Sequence, residues 1–151
     1  MPTGAVEALG AEFADLVQFG SITRDWYTAY AGLFAKEGQP FGAMVGKTPP
    51  AKPKPPAPAE LYRGAYANKY FGDAVITSKA GKLQLTLGGP RGKNFPLRHW
   101  DADTFVFDLQ GEDAAPGSVS TLIFKRERGK AKSVQIEYFG EDLARGVFKR
   151  R

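Results

Sequence analysis

The 151-residue chain has no cysteine and a single histidine, His99. Without cysteine there can be no disulfide, no thiolate metal site and no thiol nucleophile, although the compartment stays open. One imidazole cannot make a histidine pair. A metal site would have to combine His99 with Asp101 or Asp103, whereas a lone histidine beside Trp100 at a strand end reads as structural. No apolar run approaches the ~18 residues of a membrane span, and the N-terminus lacks the charged-then-apolar order of a signal peptide. The chain therefore reads as soluble, with no cofactor implied.

What is present is unevenly distributed. The formal net charge is +5, with three basic and five acidic residues in 1–48, two and one in 49–60, and sixteen and ten in 61–151. The positive excess belongs to the second half, where its densest run is "KRERGKAK", Lys125 to Lys132. Gly129 in its middle marks a hairpin tip, so the run reads as a solvated turn and not as a phosphate-binding patch. Most aromatic residues alternate with polar ones on what should be buried strand faces, and no nucleic-acid partner is expected.

Six of the eleven prolines fall in residues 49–58. Proline fixes φ and lacks the N–H that helices and ladders use, so this stretch reads as an extended linker between a segment 1–48 and a domain 59–151.

Upstream of it, "AVEALGAEFADLVQF" sets Val6, Leu9, Phe13, Leu16 and Val17 at helical spacing, closing near Gly20. A second helix is expected from "SITRDWYTAYAGLFAKEG", capped by Ser21 or Thr23, with Asp25 in its first turn and Gly38 at its end. It aligns Trp26, Tyr30, Leu33 and Phe34. Isolated helices of this length owe their stability to packing, so these two apolar faces call for a partner surface, with Phe13, Leu16, Val17, Trp26, Tyr30, Leu33 and Phe34 as candidate interface residues.

Downstream the period falls to two. Leu83, Leu85 and Leu87 alternate with polar residues, as do Phe105, Phe107 and Leu109, and Val134, Ile136 and Tyr138. Further strands are expected at 61–67, 73–79, 94–100, 118–125 and 144–150, divided by turn signals such as Ala80-Gly81, Asp101 to Asp103 and Arg128-Gly129. Eight short strands with short connections describe an α+β chain whose second part is an up-and-down antiparallel barrel. A barrel of about eight strands is just wide enough for side chains or one small ligand. Tyr66, Tyr70, Trp100, Phe105 and Phe107 are the candidate ligand contacts.

Two other groupings carry weaker chemistry. Asp101, Asp103, Asp108, Glu112 and Asp113 read as a solvated rim and not as paired carboxylates for acid/base work. "GGPRGKN", Gly88 to Asn94, lacks the spacing of a phosphate-binding loop and reads as a hairpin loop.

The stretches "LYRGAYANKYFGDAVITSKAGKLQLTLGG", "LRHWDADTFVF" and "LIFKRERGKAKSVQIEYFG" together resemble the lipocalin-like domain at the C-terminus of serine β-lactamase-like and penicillin-binding-protein-like hydrolases. "EALGAEFADLVQFGSITRDWYTAYAGLF" is similar to the closing helices of the catalytic domain in those proteins. That family acylates the serine of an S-x-x-K helix. Here none of Ser21, Ser78, Ser118, Ser120 or Ser133 has lysine three residues on. "YAN" at Tyr66 to Asn68 matches the family's Y-x-N by letters only, as a core tyrosine and a turn asparagine, and Lys47-Thr48 is followed by proline where a K-T-G strand needs glycine.

The chain thus looks like what remains when the catalytic domain is cut away. The resemblance implies a non-catalytic accessory domain that shapes active-site access or assembly, partnered by the hydrolase domain of a parent protein or by a second copy in a homodimer. It also implies a parent that is often exported. The alternative is a free-standing barrel that binds a small apolar or peptide-like ligand.

Overall fold

The computed structural model describes residues 3–111, 114–140 and 145–151. The chain divides into two compact units, Met1–Pro40 with Gln110–Pro116, and Phe41–Leu109 with Gly117–Arg151. The second unit takes in the proline-rich segment 49–58.

The first unit is a helical pair, α1 (Ala5–Phe19) and α2 (Trp26–Glu37). α1 ends as expected at Gly20, which adopts φ +73° and returns its N–H to the Leu16 carbonyl. The start of α2 differs from expectation. Its cap is Asp25, whose Oδ1 accepts the Thr28 N–H at 2.9 Å and whose Oδ2 accepts the Thr28 hydroxyl at 2.6 Å. Thr23 is unavailable as a cap because both its N–H and its hydroxyl donate to Asp15 on α1, at 2.7 and 2.6 Å.

The second unit is an α+β chain's β part: among the described residues, nine strands in one antiparallel sheet, nearly closed into a barrel. They are β1 (Gly64–Asn68), β2 (Gly72–Lys79), β3 (Lys82–Leu87), β4 (Lys93–Pro96), β5 (Arg98–Asp101), β6 (Thr104–Asp108), β7 (Val119–Glu127), β8 (Lys130–Ile136) and β9 (Val147–Arg150). Their order, β4-β3-β2-β1-β9-β8-β7-β6-β5, places consecutive strands side by side except β4 and β5, which lie at opposite edges, and joins the last strand to the first. The count of eight expected from sequence is corrected to nine at Leu97. Pro96 has no N–H to give, and the Leu97 N–H donates back to the Leu83 carbonyl on β3 at 3.0 Å. From Arg98 onward the chain pairs with β6 instead. One expected strand is thus two, and the corner between them links the two ends of the sheet covalently.

Tight turns punctuate this meander. Ala80-Gly81 and Arg128-Gly129 both carry two positive φ values, the twist-matched geometry of two-residue hairpins. "KRERGKAK" is therefore a hairpin, and "GGPRGKN" is a 3₁₀ turn over Gly89–Arg91 leading into β4. β8 stops at Ile136, and Tyr138, expected to face inward with Val134 and Ile136, sits on the following 3₁₀ turn and is exposed. The last expected strand starts at Val147; residue 144 lies outside the described residues.

Period-two alternation is borne out by burial. Tyr66, Ala74, Ile76, Leu83, Leu85, Phe95, Leu97, Phe105, Phe107, Leu122, Phe124, Val134, Ile136 and Phe148 form one buried cluster. Burying a large side chain of this kind contributes roughly 1.5–3 kcal/mol, so the lumen is the main source of stability for this unit.

Candidate functional site

The five candidate ligand contacts do not share one place. Tyr66, Phe105 and Phe107 are buried in the lumen as packing. Phe105 meets Tyr62 and Phe124 edge-on, and Phe107 lies 5.2 Å from Phe95 between ring centroids. Trp100 is half-buried on β5, and Tyr70 projects from the β1–β2 turn with 86% of its surface exposed. Tyr66 is a core residue and Asn68 a turn residue: the asparagine Oδ1 accepts the N–H groups of Tyr70 and Phe71, at 2.8 and 3.0 Å.

One end of the barrel opens into a cavity of about 480 Å³, lined by Pro56, Ala57, Tyr62, Leu97, His99 and Phe105 among others. A polar network frames it. The Tyr62 hydroxyl donates to Asp103 Oδ1 at 2.6 Å and accepts the Ala57 N–H at 2.8 Å, and Arg126 Nε donates to the same carboxylate oxygen at 2.7 Å. Burial, with the Asp103 hydrogen bond and charge behind it, pushes the Tyr62 phenol up to about 12. It stays a neutral donor through the physiological range. The proline-rich segment is tied to the same end: the Lys54 N–H donates to Asp101 Oδ1 at 2.7 Å, and the Lys54 carbonyl accepts the Ala102 N–H at 2.8 Å.

Arg150 completes this polar end. It shares the inward parity of Phe148, and its guanidinium donates to the carbonyls of Ala131, Arg63 and Leu61 and to the Tyr66 hydroxyl. It lies 4.9 Å from the Tyr66 ring centroid. Gly64 makes the space: a Cβ there would stand 2.5 Å from the Arg150 guanidinium. Tyr62, Arg126 and Arg150 were absent from the residues selected by sequence, and Asp103 was read there as a solvated rim carboxylate. The signal was available for Arg150, two residues after an inward phenylalanine, but an arginine in a basic stretch reads as solvated.

The remaining acidic and imidazole groups are engaged structurally. Asp108 accepts Arg98, which holds its carboxyl below the usual range, and Asp101 and Asp103 are paired as described. Glu112 and Asp113 lie outside the described residues. His99 Nε2 is 3.2 Å from the Ala102 carbonyl, with the ring against Phe105. Among the described residues no group of three metal-binding side chains comes together.

In the helical pair, α1 turns its small residues toward α2. Ala8 is buried, and a Cβ on Gly4 would stand 2.8 Å from Phe34 and 2.9 Å from Tyr30. Asp15, also buried, accepts from Thr23 and from Trp26 Nε1 at 2.7 Å, and these hydrogen bonds lower its pKa, the Thr23 hydroxyl first. Trp26, Tyr30 and Phe34 are half-buried. The large apolar residues of α1 point elsewhere: Val6, Leu9, Phe13, Leu16 and Val17 are exposed, Phe13 by 68%, and Leu33 on α2 is exposed as well.

A family described as a domain of unknown function (DUF3471) matches residues 48–147. The chain belongs to this family. It is a family of C-terminal domains of β-lactamase-like proteins. A crystal structure of the C-terminal domain of penicillin binding protein Rv0907 is 42% identical, with a TM-score of 0.61, covering 72% of this chain and 100% of that one. No curated protein matches the chain. These relatives place the chain with a C-terminal domain separate from the catalytic one, and it is not itself an enzyme. By its similarity to the C-terminal domain of a penicillin-binding protein, the chain is an accessory domain of a β-lactamase-like protein.

Proposed function

We propose that this chain is a lipocalin-like accessory module that docks on the catalytic domain of a serine β-lactamase-like hydrolase, there shaping active-site access or assembly. The observation that carries this reading is the apolar stripe of α1. The barrel's apolar faces are already spent in its own core, and the helices meet through Gly4, Ala8 and Asp15, so the large side chains of α1 are left for another surface. Contiguous exposed apolar area of more than a few hundred Å² marks an interaction site in a soluble protein. In the absence of a catalytic domain, a second copy of the chain takes that surface.

The reading requires the chain to lack acyl-enzyme chemistry. Incubated with a fluorescent penicillin, it should remain unlabelled, and a chromogenic cephalosporin should be hydrolysed no faster than in buffer. Stoichiometric labelling of any of the five serines would sink it.

The 480 Å³ cavity favours a second reading, a barrel that holds a small apolar ligand beneath the proline-rich segment. Its lining is mainly apolar with a few fixed polar groups, as small-molecule sites are. Saturable quenching of Trp100 by an apolar fluorescent probe, abolished by Leu97→Trp, would support it; no binding would leave the cavity a packing defect.

A further inference from the structure

We propose that the outer face of the β1–β9 pair, at the β1–β2 turn, is a binding site for a small ligand that carries a phosphate or carboxylate on an aromatic or apolar body. This is independent of the docking proposal and lies on the outside of the sheet. The site is a concave cavity of about 570 Å³.

Its position follows from strand parity. Tyr66 and Phe148 face the core, so Ala67, Val147 and Lys149 face out, and the Ala67↔Lys149 pairing sets the lysine across from the start of the turn. Three cations, Lys69, Arg145 and Lys149, then line one cavity with Tyr70, Phe71 and Val147. Among the described residues no carboxylate lines it, and none of the three cations has an ion pair. Asp73, which pairs with Ala67 on the other side, is held by Arg151 at 2.8 Å. Three like charges converging on one concavity repel one another unless an anion joins them.

The walls are fixed. A single side chain, Asn68, ties both: its Nδ2 donates to the carbonyls of Arg145 and Val147, at 2.8 and 2.9 Å, and its Oδ1 accepts the turn's Tyr70 and Phe71 N–H groups. Phe71 is anchored from within, 4.6 Å from Phe139 between ring centroids, and meets Tyr70 edge-on at 4.9 Å. The result is a rigid, apolar aromatic wall beside a cluster of cations, which suits a flat apolar body and an oxyanion in one molecule. Tyr70 would supply a stacking surface, which explains why so large a ring stands exposed at a turn tip.

The test is a two-dimensional amide NMR titration of the full chain with phenyl phosphate, phenylacetate, inorganic phosphate and phenol. Phenyl phosphate or phenylacetate should move the amides of residues 68–71 and 145–149 saturably, and the tighter of the two names the head group. Inorganic phosphate should move the same amides more weakly, and phenol should not saturate. Lys149→Gln should weaken the tighter probe about ten-fold, the effect of one lost charged contact. Tyr70→Ala should weaken the aromatic probes while leaving inorganic phosphate unchanged. No saturable movement at these amides, movement confined to another surface, or affinity unaffected by Lys149→Gln would overturn the proposal.

Discussion

Arg150 shows how much one residue near the end of the chain can hold. Its guanidinium gathers three backbone carbonyls, Ala131 from β8 and Leu61 and Arg63 from the segment entering β1, together with the Tyr66 hydroxyl. Arg150→Ala should cost about 2 kcal/mol in urea unfolding, the scale for hydrogen bonds from a charged donor. Arg150→Lys should recover little of it, because a single ammonium cannot present the same planar fork. Tyr62 makes a different kind of prediction. Its folded-state phenol is raised from the ordinary 10 to about 12, so between those values the folded chain keeps a proton that the unfolded chain has lost. Its contribution is fully present below pH ~10 and is lost as the pH rises toward about 12. Unfolding measured across that window should show stability falling with pH, and Tyr62→Phe should flatten that part of the profile.

At the scale of elements, the barrel and the helices behave oppositely. In the barrel, Phe105 lies among Tyr62, His99 and Phe124, and Phe105→Ala should cost roughly 3–5 kcal/mol because the rigid sheet cannot close the void. That core was legible from sequence: Leu83, Leu85, Phe105, Phe107, Val134 and Ile136 alternate as strands must, and all are buried. What misled was local competition for hydrogen bonds. The strand expected over 94–100 divides at Leu97, whose N–H still donates to β3 while the chain from Arg98 onward pairs with β6. Thr23 fails as a cap because Asp15, a distant residue in sequence, takes both its donors. Periodicity also identified the apolar stripe of α1, but not that α1 would use its small face against α2. Close helix approach rewards glycine and alanine, which carry no hydrophobic signal. The candidate ligand residues scattered for a related reason: aromatic identity does not separate a core ring such as Phe107 from a turn-tip ring such as Tyr70, and only the register does.

For the whole molecule, the account joins a barrel with its own complete core to a helical pair whose largest apolar side chains are unspent. The crystallised relative, a C-terminal domain matched over its full length, covers 72% of this chain, and the family match starts at residue 48. The proposed association surface is on the helices. Phe13→Ser with Leu16→Ser should leave the stability of the chain within about 0.5 kcal/mol, since both side chains are exposed. The most direct measurement is light scattering across a range of concentrations on the intact chain, on this double variant and on a chain starting at Phe41. The account predicts a dimer mass for the intact chain and monomer mass for the other two, with the shortened chain retaining its cooperative unfolding. A monomeric intact chain at every concentration, with α1 resistant to protease, would contradict it.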